Sequence, residues 1–296
     1  MTGRPAAGAG ERIAGAAMAS DGTNEESGRM TARALAELTE SVLAGERGRP
    51  PSELTVTSAF WLRHATRLAG AATTYLNHYV VLRVGGVFGA SSFESGEVAA
   101  DFCEGAAGRA LAELIADERP AVRVAALDAY LSAVRPHRTA PEAEVVALPA
   151  GTPEQRAAAR DAAVAGLLDV EPEGRVALIG VVNPLIAAIR ERGGVPLPCD
   201  LNLRTTAWGD PVAESMATVL AEADAVVATG MTLSNDTFDP LLATCRARGL
   251  PLIVYAQTGS AVVREFLGAG VTALSAEPFP FSQFSAEETA LYRYRR

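Results

Sequence analysis

The chain has 296 residues, of which 49% are hydrophobic and 21% charged, and its length suits about two domains of ordinary size. Its formal net charge of -9 argues against binding to nucleic acid, because phosphate contacts need clustered cations. All 26 basic residues are arginine, so a pyridoxal-phosphate Schiff base, a lysine nucleophile and a Walker-type phosphate loop are excluded.

Residues 1–30 are small and polar, which predicts a disordered tail without a signal-peptide pattern. No apolar run reaches the ~18–20 residues that span a bilayer, so we expect a cytoplasmic protein with no membrane partner. Cys103, Cys199 and Cys245 are far apart with no CxxC spacing, and we expect them to be buried thiols.

The first half predicts a small α+β domain over residues 31–140. Helical spacing begins at Thr31, and two segments rich in β-branched and aromatic residues follow, the second with a Gly-Gly turn at 85–86. Two helical stretches come next, at 97–116 and 120–134. Four prolines interrupt the pattern after residue 134, so we place the domain boundary near 136–152.

The second half, residues 152–285, predicts a Rossmann-like ligand-binding domain. A capping box at 152–155 opens a helix, and apolar strands then alternate with helices. Such continuous apolar strands indicate a parallel sheet covered on both faces. The predicted fold class is therefore α/β, with a doubly wound parallel sheet preceded by a smaller α+β domain. The predicted strands are 175–182, 195–199, 225–229, 252–256 and 271–275.

Ligands of such sheets bind outside the carboxyl ends of the strands, so the residues after each strand are the candidate site. The richest segment is TGMTLSNDT at 229–237, which we interpret as a binding loop, although helix capping accounts for one or two of its residues. Another candidate is QTGS at 257–260, where a small anion nest competes with capping of the next helix. The candidate ligand-binding residues are Gly180, Asn183, Asp200, Thr229, Gly230, Thr232, Asn235, Thr237, Thr258 and Ser260.

The loop after the first strand, GVVNP, lacks the GxGxxG pattern and disfavours a dinucleotide. Asp200 still lies where an acidic side chain often holds a ribose hydroxyl. This position suits S-adenosylmethionine or a related nucleoside, and the alternative is that Asp200 is only a polar strand end.

Acid–base and metal chemistry have weaker support. The three histidines, His64, His78 and His137, all lie in the first half, and His64 and His78 could reach a cleft between the domains. Such histidines more often have a structural or surface role than a catalytic one. No spacing predicts a metal site, although a mixed site of Cys199, Asp200 and a histidine stays open.

The segments VALIGVVNPLI, ATGMTLSNDTFDPLL and LIVYAQTGSAVVREFLGAGVTAL resemble a Rossmann-like family labelled putative heavy-metal chelation domain. Members similarly carry a T-G-x-T-x-x-N-x-T pattern, matched here by Thr229, Gly230, Thr232, Asn235 and Thr237. The resemblance implies an N-terminal companion domain similar to that of enolases. The family tends to have Gly-Pro-Ser where this chain has Gln257-Thr258-Gly259-Ser260, and this difference puts the family ligand in doubt.

Two functions follow from these patterns. The first is a protein that binds a small polar ligand, or a metal held by one, in a cleft at the strand ends. The alternative is an enzyme of specialised metabolism that uses S-adenosylmethionine or a related nucleoside. A catalytically silent subunit and a homo-oligomer also stay open.

Overall fold

The computed structural model describes residues 32–67 and 74–296, so the tail predicted over residues 1–30 lies outside the described residues. The first described helix, α1, is followed by a hairpin-connected antiparallel sheet in the order β1-β2-β3. Gly85 and Gly86 make the turn between β2 and β3, as predicted. These elements are α1 (Leu35–Leu43), β1 (Val56–Thr66), β2 (Tyr75–Val84) and β3 (Val87–Phe93).

Three helices follow the small sheet: α2 (Phe102–Ala106), α3 (Leu111–Ile115) and α4 (Pro120–Val134). The helix predicted at 97–116 is divided into α2 and α3, because Gly108 between them has φ +87°. Helix α4 packs on β2 and β3 at very close range, since a Cβ on Gly89 would lie 2.0 Å from the backbone nitrogen of Ala129.

The larger sheet has seven strands in the order β4-β10-β9-β8-β7-β5-β6. Strands β5 to β9 are parallel, while β10 runs antiparallel to both β9 and β4. Its strands are β4 (Glu144–Leu148), β5 (Arg175–Ile179), β6 (Val195–Cys199), β7 (Ala225–Thr229), β8 (Leu252–Ala256), β9 (Ala273–Ala276) and β10 (Thr289–Arg295). The helices between them are α5 (Pro153–Ala165), α6 (Asn183–Glu191), α7 (Met216–Glu222), α8 (Phe238–Arg248) and α9 (Ser260–Arg264).

This architecture confirms the predicted fold class, a mixed α/β chain with a mostly parallel sheet and a smaller α+β part before it. Two strands differ from the sequence prediction. Strand β4 lies inside the segment expected to be a domain boundary, and β10 follows the last predicted element. The first parallel strand also ends earlier than expected, at Ile179, because Gly180 turns the chain with φ +84°.

The two sheets are joined by one hydrophobic core, in which α4 and the β2–β3 hairpin meet α9 and the strands of the larger sheet. The division into domains at 31–140 and 152–285 stays a prediction. Among the helices formed by the described residues, none is both long and apolar enough to cross a membrane.

Candidate functional site

The topological switch point of the larger sheet lies between β5 and β7, because the chain leaves β5 toward β6 on one side and returns to β7 on the other. The loops after these two strands approach each other closely at the carboxyl edge. A Cβ on Gly180 would lie 2.6 Å from Thr229 Cγ2 and 3.2 Å from the Tyr255 hydroxyl. The structure therefore brings together Gly180 and Thr229, two of the predicted site residues.

The Asp200 side chain holds the loops after β5 and β6 at the switch point by hydrogen bonds. Its Oδ2 accepts a hydrogen bond from the Val181 N–H (2.9 Å), and its Oδ1 accepts from the N–H groups of Asn202 (2.8 Å) and Leu203 (3.0 Å). A carboxylate with three backbone partners has little acceptor capacity left for a ribose hydroxyl. The S-adenosylmethionine hypothesis stays a prediction.

Asn183 has a similar local role, because its Oδ1 accepts a hydrogen bond from the Ala207 N–H (3.1 Å). Ala207 lies in the long loop between β6 and α7. Asn183 and Asp200 together hold this loop against the start of α6, at the edge where we expected a ligand.

The segment TGMTLSNDT folds as a 3-10 turn, residues 230–233, followed by the start of α8. Most of its polar capacity is used within the segment. The Thr229 hydroxyl caps the turn, Thr232 Oγ1 donates to Thr229 O (2.8 Å), and Asn235 Oδ1 accepts from the Thr237 hydroxyl (2.6 Å). Gly230 is needed for packing, since a Cβ there would lie 2.6 Å from Thr258 O. That these residues bind a ligand stays a prediction.

Thr258 and Ser260 after β8 are buried, with 4% and 0% of their surface exposed. Ser260 Oγ lies 3.3 Å from His137 Nε2, and His137 Nδ1 lies 2.7 Å from the Tyr294 hydroxyl. Burial, assisted by the charge of Arg264, lowers the pKa of His137 to about 3, while Glu142 acts in the opposite direction. These buried side chains connect α9, the segment after α4 and β10 by hydrogen bonds. His137 is therefore a structural residue that is neutral at physiological pH.

A second set of buried hydrogen bonds, made by Asp128, joins the smaller sheet to the larger one. Asp128 on α4 accepts hydrogen bonds from the N–H groups of Ala90 on β3 (2.9 Å) and Ala261 on α9 (2.8 Å). Burial raises the pKa of Asp128 to about 7, while the backbone N–H donors act in the opposite direction. Asp128 therefore fixes β3, and the residues after it, relative to the larger sheet.

A pocket of about 230 Å³ opens between the end of the β2–β3 hairpin and the carboxyl edge of the larger sheet. We call it the strand-end pocket. His78 and Ser92 are its most buried polar side chains, and His78 lies against the rings of Trp61 and Phe93. The pocket is lined by Leu76, Asn77, His78, Ser92, Phe93, Glu94, Ser95, Asn202 and Met231.

The sequence interpretation anticipated only part of this pocket. Met231 comes from the predicted loop, Asn202 follows β6, and His78 is one of the two histidines for which a cleft was considered beside the favoured structural role. None of the ten candidate ligand-binding residues lines it. Ser92 in β3 and Glu94 directly after it were not among the candidates, because the sequence analysis looked for a site only after the strands of the second half.

Nothing in the described ranges, 32–67 and 74–296, groups three His, Cys, Asp or Glu side chains so that they could hold a metal ion. Cys199 and Asp200, considered for a mixed site, are not grouped with a histidine in these ranges. Burial raises the pKa of the Cys199 thiol, and the charge of Asp200 acts in the same direction. Cys103, Cys199 and Cys245 are all free thiols.

The protein is thus an α/β chain with a small polar pocket at the carboxyl edge of its main sheet, and solved structures of similar fold are known. Residues 163–276 match the model of the DUF364 family, described as "Putative heavy-metal chelation". A DUF364 protein of unknown function from Desulfitobacterium hafniense DCB-2 has a solved structure with 16% identity and a TM-score of 0.56, over 81% of this chain and 85% of that one.

A second solved structure of unknown function, a DUF364 protein from Pyrococcus horikoshii, is 15% identical with a TM-score of 0.52. The similarity covers 88% of this chain and 98% of that one. No curated protein matches the sequence. The chain is therefore similar to the DUF364 family in sequence over residues 163–276 and in fold over most of its length.

Proposed function

We propose that the protein binds a small polar molecule, either free or carrying a metal ion, in the strand-end pocket. The observation that carries this proposal is the pocket itself, formed by the hairpin end and by loops at the carboxyl ends of β6 and β7. Parallel α/β sheets bind ligands at this edge. Its volume of about 230 Å³ lies below the ~300–1,000 Å³ of sites for drug-sized ligands, so the ligand is small.

The lining favours a ligand with several hydrogen-bonding groups. Asn77, Asn202 and the hydroxyls of Ser92 and Ser95 offer neutral donors and acceptors, and Glu94 supplies a formal negative charge. Leu76, Phe93 and Met231 supply apolar contact on the other walls. A neutral or partly cationic molecule suits this set of side chains better than an anion does.

The family description supports a role in metal-chelate or ligand binding, and the lining of the pocket favours a chelated metal over a bare ion. His78 and Glu94 are the pocket's usual metal-ligand types, and two such ligands fall short of the three or four that a protein supplies to a bound transition metal. A metal ion that arrives with its remaining positions filled by an organic chelator would need only one or two protein ligands. Strands β2 and β3, which belong to the part of the chain that the sequence resemblance likens to the N-terminal domain of enolases, would supply one wall of the site.

The test is a thermal-shift screen of small polar molecules and metal chelates against the full chain, because a ligand of the folded state raises the melting temperature by mass action. Each stabilising compound is then measured on Asn202→Ala, which removes a pocket amide, and on Asn235→Ala, which removes the exposed amide of the TGMTLSNDT segment. We expect the shift to be lost in Asn202→Ala and kept in Asn235→Ala. The opposite pattern would place the ligand on the segment and refute the pocket.

A further inference from the structure

A second, larger concavity lies at the other end of the β2–β3 hairpin. It has a volume of about 720 Å³, within the range of small-molecule sites, and we call it the basic groove. The hairpin turn at Gly85 and Gly86 forms one wall, and Arg47, Arg49 and Arg138 line the others. Strand β2 extends six residues from His78 to Val84, so the groove lies about 20 Å from the strand-end pocket.

The charges around the groove are unbalanced. Arg47 and Arg135 both bind the buried carboxylate of Glu265, at 3.0 and 2.9 Å. Arg49 is paired with Glu53 at 3.1 Å. Arg138 is exposed and has no ion pair or hydrogen bond within the part of the chain that the structure describes.

Among the described residues that line the groove, three are arginines and one, Glu53, is a carboxylate, on a chain whose net charge is -9. A local positive excess on an acidic protein concentrates anions at that place. The carboxyl end of α4 carries a partial negative charge, which favours nearby cations. This effect would explain the positions of Arg47 and Arg135, which both bind Glu265. It does not explain Arg138, which has no partner among the described residues and lines the open groove together with Arg47 and Arg49.

The geometry of the groove suits an oxyanion of some size. The Arg47 side chain is 7% exposed and held by Glu265, so its position is fixed before any ligand arrives. Arg49 and Arg138 come from different segments and can approach a ligand from separate walls. A Cβ on Gly85 or Gly86 would meet nothing within 4 Å, so the hairpin wall leaves space for a ligand. A guanidinium donates two parallel hydrogen bonds to a phosphate group, which gives both affinity and orientation.

We propose that the basic groove binds a small molecule that carries a phosphate or diphosphate group. This site is separate from the strand-end pocket and does not depend on the function proposed for that pocket. The two sites also differ in charge, since the groove favours an anion and the pocket a neutral or cationic ligand.

Isothermal titration calorimetry of the full chain with inorganic pyrophosphate, at constant ionic strength, tests the proposal. We expect single-site binding that Arg138→Gln and Arg49→Gln each weaken about tenfold, as expected from the loss of a charge-assisted hydrogen bond. Arg204→Gln is the matched control, because Arg204 and Glu214 form an exposed ion pair at 2.8 Å that resembles the Arg49–Glu53 pair. Far-UV circular dichroism checks that each variant is folded.

Absence of binding to the wild-type chain would overturn the proposal. Equal weakening in Arg204→Gln and Arg138→Gln would overturn it as well, because that result means a diffuse effect of net charge. Compounds that bind the strand-end pocket should stabilise Arg138→Gln as much as the wild type, so the outcomes for the two sites are distinguishable.

Discussion

Replacement of Gly89 by alanine should force the small sheet away from α4. The added Cβ would lie 2.0 Å from Ala129 N and 2.4 Å from Ala125 O, where ordinary contact begins at 3.4 Å. The first contact is therefore about 1.4 Å too short, and neither backbone atom can rotate away as a side chain could. Overpacking usually costs about 1–3 kcal/mol, and we expect about 3 kcal/mol or more for this backbone collision.

Urea unfolding and thermal melting followed by circular dichroism measure this cost. A loss of about 3 kcal/mol corresponds to a decrease in melting temperature of about 6–12 °C for a chain of this size. Gly86→Ala in the same hairpin is the control, because a Cβ there meets nothing within 4 Å. If the two variants unfold within about 0.5 kcal/mol of each other, the close packing of β3 on α4 is refuted. Since Ser92 and Phe93 of β3 line the strand-end pocket, Gly89→Ala should also weaken ligand binding there.

Two further predictions concern buried polar groups. Tyr130→Phe should be neutral or stabilising, because the buried Tyr130 hydroxyl has no hydrogen-bond partner among the residues that the structure describes. Tyr294→Phe should cost about 1 kcal/mol, because it removes the hydrogen bond to His137. Urea unfolding at pH 7 compares the two variants. Stability should depend on pH through two opposed groups. His137 has a folded pKa of about 3 against an ordinary 6.5, so the unfolded state binds more protons and His137 destabilises the fold as the pH falls from 6.5. Asp128 has a folded pKa of about 7 against 3.8, so it stabilises the fold as the pH falls through that window. In Asp128→Asn, the free energy of unfolding should therefore fall more steeply than in the wild type as the pH is lowered from 6.5 to 4, by about 1.4 kcal/mol per pH unit. Urea unfolding curves at several pH values measure this difference, and an unchanged pH dependence would contradict the role assigned to Asp128.

The parallel strands could be predicted closely because each is a short apolar run that ends at a glycine or a polar residue. Strands 195–199, 225–229 and 252–256 agree with β6, β7 and β8 to the residue. Strand β10 could not be recognised in this way, since TALYRYR has no continuous apolar core and depends on pairing with β9 and β4. Local capping patterns can also mislead. Asp210 before Pro211 is typical of a helix start, but its carboxylate binds the Thr206 hydroxyl and Arg190, and α7 begins at Met216.

The candidate site was harder to predict for two physical reasons. Threonine and asparagine side chains can turn back onto their own backbone, and the sequence does not tell whether they do so. Here Thr232 and Asn235 are bonded within their own segment. The strand-end pocket combines Asn77 and Ser92 with Asn202 and Met231, which are more than 100 residues further along the chain. Only the packing of the hairpin against the larger sheet brings these residues together, so no local sequence pattern predicts the pocket.

Native mass spectrometry of the protein purified without chelators tests the central claim most directly. Wild-type protein and Asn202→Ala, prepared in parallel, are compared for added mass under non-denaturing conditions. We expect the wild-type chain to carry a small organic molecule, with or without a metal ion, and Asn202→Ala to lose it. An adduct of bare metal-ion mass that a chelator removes, or an organic adduct that Asn202→Ala retains in full, would contradict the proposed binding of a small polar ligand in the strand-end pocket.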